Sequence, residues 1–441
     1  MTSLPNTGGL TAPQPASGAA PVGAGPGFRP GPRRDDDRQV AVASVGIAAG
    51  YLVLASLAAA FLAVPGSTVP AWLPLHLALA GGASTAIAGV MPFFAATLVA
   101  GHPADRRPRA SAVLLVAGGA GLVSLRAIFP ANAMLPTVGG AVYLAGIGAT
   151  ALALHASGRR GLMVRRPIVT LAYGLALANV AVGATLGTLF VAGWIPIVER
   201  WALVKPAHAW TNLLGFVSLV IAGTLLHFLP TVLGTRIVAR RSAIAAILGV
   251  AVGSPLVVAG LVLVAAPAAG AGAVLTVVGA WSLLAETVVT VRARGRWTTD
   301  PGWHRLTGVG LVAGVTWFAA GATIAAGRVA YLGATPDAWS TQLVGVPLGI
   351  GWVAQVLIAS WTHLLPAIGP GGPVLHARRR RILGRVATPR LVALNGGAML
   401  AAVGWPAGIA PMAAIGVVLA GAAVVVSAGL AAIALRARGD A

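Results

Sequence analysis

An all-α integral membrane protein is predicted, with twelve transmembrane helices arranged in three four-helix arcs. Three observations carry that expectation. Hydrophobic residues make up 57% of the 441 and charged residues only 9%, against about a quarter charged in an ordinary soluble domain. Apolar runs of roughly 20 residues recur from position 39 onward, each long enough to cross a ~30 Å hydrocarbon core as a helix. The basic residues fall between those runs and are concentrated in every second interval. This composition excludes a soluble enzyme and a disordered chain. The net charge of +21 would point to nucleic acid only if it were gathered on a soluble module, so no nucleic-acid partner is expected. With no Cys, disulfides, thiolate metal sites and cysteine nucleophiles are excluded.

Residues 1–38 are rich in Pro, Gly, Ala and Thr and place Arg29, Arg33, Arg34 and Arg38 around Asp35, Asp36 and Asp37. They have too little apolar surface to fold and are expected to form a disordered cytoplasmic tail. The membrane domain runs from 39 to 436, and 437–441 form a short cytoplasmic end. Within it the spans fall at approximately 39–64, 72–100, 111–129, 134–156, 167–192, 207–234, 242–266, 268–291, 305–327, 339–367, 390–408 and 411–435. Runs this long, with no period-two alternation, satisfy their backbone in lipid only as helices. Trp72, Trp194, Trp201, Trp297, Trp303 and Trp339 lie near span ends, where an interfacial aromatic belt belongs.

Cytoplasmic segments carry the excess of Lys and Arg. With both termini inside, twenty-six of the thirty basic residues fall on the cytoplasmic side, six of them between spans 10 and 11. Only Arg126, Arg200, Lys205 and Arg328 fall outside. A wrong span count would scramble this pattern. The expected location is the cytoplasmic (inner) membrane, with the lipid bilayer as partner.

The chain repeats itself. Span 2 holds Gly81 and then Ile87-Ala-Gly89; span 6 holds Trp210-Thr-Asn-Leu-Leu-Gly215 and then Ile221-Ala-Gly223, both glycines offset by 134. Span 6 ends in His227-Phe-Leu-Pro230 and span 10 in His363-Leu-Leu-Pro366, offset by 136, as are Gly215 and Gly351. The period is four helices, whereas transporters more often repeat every five or six.

Four embedded histidines stand out. His76 in span 2 and His208 in span 6 sit at a similar shallow depth on the outer side, apart from the six histidines on the inner side. Neutral imidazole ligates metal and haem iron. His227 lies 19 residues beyond His208, about 28 Å at helical rise, so His227 and His363 form a possible second, inner metal pair. His102, His155, His304 and His376 lie beside basic loops and are expected to be solvated. Glu286 is the one acidic residue inside a clear span, and Asn179, Asn212, Gln355 and Asn395 are the other embedded polar residues. Such groups should face the bundle interior: Glu286 is a functional candidate or else reaches toward water or Arg292, six residues on, and packing across helices is the expected role of the four amides.

The four-helix period, His76, His208 and the run from His208-Ala-Trp-Thr-Asn-Leu-Leu-Gly215 to His227-Phe-Leu-Pro230 resemble subunit I of the haem–copper oxidases. They are similar also to the related NnrS-like haem- and copper-containing proteins and to the membrane portion fused to actinobacterial copper nitrite reductases. The resemblance spans roughly 39–436 in topology and about 60 residues in motif. It implies three arcs, a b-type haem and possibly copper on His76 and His208, and electron transfer in respiratory or nitrogen-oxide metabolism with a periplasmic or membrane redox partner. Span 7 lacks the family's paired histidines, Gln342 stands near a haem-ligand position in span 10, and Trp210 replaces a histidine in span 6. These departures imply no oxygen-reducing centre and no proton pumping. Gly101-His-Pro-Ala-Asp105-Arg106-Arg-Pro-Arg109 resembles instead the loop between helices 2 and 3 of major facilitator transporters, so a secondary transporter is the rival expectation. A non-catalytic membrane partner of a redox protein is a third.

Overall fold

The computed structural model describes residues 32–64, 66–98, 104–159, 167–236, 240–295 and 300–437, with only the backbone of 32–37 and 167. Among them there is no strand. Eleven helices are long and apolar enough to cross a membrane: α1 Arg38–Leu62, α2 Leu73–Leu98, α3 Arg106–Ala127, α4 Met134–Arg159, α5 Ile168–Val191, α6 Trp201–Leu233, α7 Arg241–Val262, α8 Ala266–Arg294, α9 Gly302–Leu332, α10 Pro347–Ile368 and, after a gap in this count, α13 Ala410–Arg436. Between the last two lie α11 (Pro373–Leu383) and α12 (Ala387–Gly404), which pass the same test only as a pair bent by 46°. Large apolar side chains such as Leu54, Leu114, Leu152 and Val274 are exposed on the bundle surface, as a lipid environment requires. This is a multi-pass membrane protein.

Most helices overrun the expected apolar limits. The first begins at Pro32, inside the stretch expected to be unfolded; residues 1–31 lie outside the described residues. The span expected at 207–234 starts at Trp201, and that at 305–327 runs from Gly302 to Leu332. Hydropathy marks only the part of a helix in hydrocarbon, whereas the hydrogen-bond ladder continues until a cap stops it. At the end of α6 that cap is Gly234 in the left-handed conformation, with Thr235 N–H returning to the Pro230 carbonyl at 2.9 Å. The expected arginine-rich loop between spans 10 and 11 is the helix α11. There Arg379 is buried and its Nε donates to the Ala434 carbonyl at 3.0 Å.

Three helices are wound differently from the rest. Segments Leu77–Ala83 in α2, Thr211–Ser218 in α6 and Pro347–Ala354 in α10 are π-helical. Their first residues are 134 and 136 apart, the offsets of the sequence repeat. All three segments touch one another, so they form the centre of the bundle. In each, a glycine takes a side chain from the preceding long helix. A Cβ on Gly81 would meet the Tyr51 ring at 2.2 Å, on Gly215 the Asn179 amide at 2.5 Å, and on Gly351 the Trp317 ring at 2.4 Å.

The three hairpins α3–α4, α7–α8 and α12–α13 also correspond. Each closes on a reciprocal glycine pair. A Cβ on Gly119 would lie 2.7 Å from the Gly139 carbonyl, on Gly253 2.6 Å from that of Gly272, and on Gly397 2.6 Å from that of Gly416. Small residues allow this backbone approach.

Candidate functional site

His76 and His208 meet. Their ring centroids are 6.0 Å apart and their planes diverge by 15°. His76 sits in the first turns of α2, two residues after Pro74 and immediately before the π segment. His208 stands three residues before the π segment of α6. Both rings are half-buried. The contacts among the central segments set this spacing, because each histidine rides on one of them.

The hydrogen bonds decide the tautomer. His76 Nδ1 lies 3.1 Å from the Trp72 carbonyl, and His208 Nδ1 lies 2.8 Å from the Gly183 carbonyl of α5. A carbonyl only accepts, so each Nδ1 carries the proton and each Nε2 keeps its lone pair. Asn212 Nδ2 is 3.3 Å from His208 Nδ1, but its better bond is to the His208 carbonyl at 2.7 Å. Asn212 thus braces the backbone beneath the ring. Gly187 leaves room for it, since a Cβ there would lie 2.9 Å from His208 Cε1. The Trp72 ring stands edge-on to His76 at 5.0 Å, and Trp201, itself stacked on Phe190, lies 5.8 Å from His208. An Nδ1 proton given to a backbone carbonyl is the usual second bond of a metal-binding histidine, because it orients the ring and raises its basicity.

The pair offers two neutral nitrogen donors. Among the described residues no three His, Cys, Asp or Glu side chains gather to hold a metal ion. Two imidazoles fit a metal whose remaining ligands come from elsewhere, as a porphyrin supplies to iron.

At the other end of the bundle, His363 meets His304 at 6.4 Å, Trp303 at 5.9 Å and Phe228 at 5.5 Å. His304 is therefore a ring neighbour of His363 that the sequence pattern does not pair with it. The His363 Nδ1 is buried without a hydrogen-bond partner among the described residues. His304, expected to be solvated, has only 13% of its side chain exposed. Its Nδ1 lies 2.7 Å from Asp300 Oδ2 and its Nε2 lies 2.8 Å from the Val232 carbonyl. Both partners are acceptors, so each ring nitrogen of His304 faces an oxygen to which it can donate. Both nitrogens being spent, His304 is no metal ligand. Arg294 also binds Asp300 Oδ2, at 2.8 Å. Burial raises the pKa of Asp300, but the hydrogen bonds from His304 and Arg294 outweigh it and hold the carboxyl below its ordinary value. The local sequence signal for this cluster was Asp300 four residues before His304 on a helix start. His155 is exposed and His376 half-buried; His102 lies outside the described residues.

Glu286 is buried and doubly held, by Arg240 at 2.5 Å and by the Ser242 hydroxyl at 2.6 Å. Its partner is Arg240 on the next hairpin arm, not the sequence neighbour Arg292. Gln355 donates to the Gly310 carbonyl at 3.2 Å, Trp317 Nε1 donates to Asn395 at 3.0 Å and Thr211 donates to Asn179 at 3.0 Å. These tie helices together. Trp210 and Trp352 are fully buried; Trp352 Nε1 donates to Ser218 at 3.0 Å, which joins two of the π segments. No family model matches the chain, and no curated protein matches it in sequence.

Proposed function

We propose that this is a twelve-span protein of the cytoplasmic membrane, in three four-helix arcs with both termini cytoplasmic, that carries a b-type haem on His76 and His208. Copper is the other metal the pair suits. The reading is an electron-transfer role in respiratory or nitrogen-oxide-related redox metabolism, without proton pumping and with a redox partner on the periplasmic side or in the membrane. One observation carries it. Two histidines 132 residues apart in sequence lie ring to ring, each with its Nδ1 proton given to a backbone carbonyl.

His76 and His208 would hold the group through the Nε2 lone pairs that their Nδ1 hydrogen bonds leave free. Haem iron held by histidine accepts and passes single electrons. The chain's own part is positional. Gly183 and Trp72 hold the two tautomers, Asn212 holds the His208 backbone, and the tryptophan walls limit water. The spacing of 134 and 136 between the π segments supports arcs of four helices. It weighs against the six-plus-six pseudo-symmetry that a major facilitator transporter would need.

The test is an absorption spectrum and copper analysis of protein purified in detergent from haem-supplied cells. A Soret band or bound copper lost in both His76→Ala and His208→Ala is expected. A colourless, copper-free wild-type protein would sink the proposal and favour transport or a scaffolding role.

A further inference from the structure

We infer that the arginine-rich end of the bundle holds a binding site for a phosphate-bearing anion, in a cleft where α6 and α8 end and α9 begins. The cleft has a volume of about 590 Å³ and is walled by Thr231–Arg236, which form the last turn of α6 and the residues after it, by Arg240, Arg294 and His304. That volume is in the range of pockets that take small molecules.

Charge sets the sign of the ligand. Arg236, Arg240, Arg294 and His304 line the cleft. Two carboxylates answer them: Glu286 binds Arg240, and Asp300 binds both Arg294 and His304. Arg236 is exposed and has no carboxylate partner among the described residues. The Arg294 Nε is buried with no hydrogen-bond partner among the described residues. The cleft therefore carries a positive excess with unused donors.

The helix end does not oppose an anion as strongly as its dipole alone would. The Pro230 carbonyl takes the Thr235 N–H, the Thr231 carbonyl takes the Gly234 N–H, and the Val232 carbonyl takes His304 Nε2–H. Three of the last carbonyls of α6 are thus already satisfied. Guanidinium groups match phosphate oxygens in forked geometry. Basic pockets between helix ends at the cytoplasmic face suit anionic headgroups. The same chemistry takes a lipid phosphate from the adjacent leaflet or a soluble phosphate compound.

The experiment uses the full chain in neutral detergent, titrated calorimetrically with inorganic phosphate, and the same protein in phosphatidylcholine nanodiscs with or without phosphatidylglycerol, read by retained lipid. Wild type is expected to bind at least one probe. Arg236→Gln, at an exposed position, is expected to weaken that binding at least tenfold with an unchanged thermal midpoint. Arg200→Gln, at the opposite end, should leave it intact. Phosphate binding in detergent identifies a soluble source; retention of phosphatidylglycerol alone identifies lipid. The inference is overturned if neither probe binds wild type, if Arg236→Gln binds as wild type does, or if Arg200→Gln loses as much. None of these outcomes depends on His76 or His208.

Discussion

The imidazole of His208 is positioned by what a neighbouring residue lacks. Gly187 has no side chain, and the ring occupies that space. Gly187→Val should push the ring off the Gly183 carbonyl and cost about 10–100-fold in metal or haem affinity, as loss of an orienting partner does. Equilibrium dialysis or haem titration measures it; unchanged affinity would show that the orientation is unimportant. A second prediction concerns Asp300, whose carboxyl is held below its ordinary value of 3.8. A depressed carboxylate contributes stability above its unfolded value, and loses it as pH falls through the folded one. The wild type should unfold at a higher temperature than Asp300→Asn at neutral pH, and the gap should close once pH is below both values. His76 and His208 could be chosen from sequence because depth separated them from the other histidines. His304 could not, because the Val232 carbonyl that buries it is 72 residues away and backbone acceptors leave no trace in residue identity.

Helix contacts here are made by backbone as much as by side chains. The glycine pairs Gly119–Gly139, Gly253–Gly272 and Gly397–Gly416 recur once per hairpin. The first two pairs are 134 and 133 residues apart, and the last two 144; α11, inserted before the third hairpin, accounts for the longer step. Gly253→Val would force its Cβ against the Gly272 carbonyl and should destabilise by about 1–3 kcal/mol or more, the usual cost of overpacking. Gly118→Val, one residue from Gly119 on an open face, should be nearly neutral. Thermal unfolding in detergent compares them; equal midpoints would contradict the packing account. The glycine offsets were legible in the sequence. The π winding at the same places was not, and neither were Tyr51, Asn179 and Trp317, which fill the glycine notches there from other helices.

Twenty-six basic residues assigned to one side and four to the other make orientation a property of the entire chain. The absence of Cys allows a clean test. In intact cells a membrane-impermeant maleimide should label Ala131→Cys, in the exposed turn between α3 and α4. It should label Gly372→Cys, exposed before α11, only after lysis. The reverse pattern would invert the topology and place the histidine pair on the cytoplasmic side. The basic residues are also more than topology markers. Arg379 and Arg390 are buried against α13, where Arg390 reaches the Ser427 hydroxyl at 3.3 Å, so part of the charge excess holds the last helices together.

Helix content, span positions and the four-helix period follow from sequence alone, because hydrocarbon thickness and backbone satisfaction act on each segment independently of its neighbours. Which polar groups find one another does not. The mutual packing of the three π segments brings His76 to His208. The approach of α9 to the end of α6 likewise gives His304 a backbone acceptor at Val232 besides the carboxylate of Asp300. Those pairings depend on helix rotation and depth, which small residues and notches set across the whole bundle and no single stretch of sequence encodes.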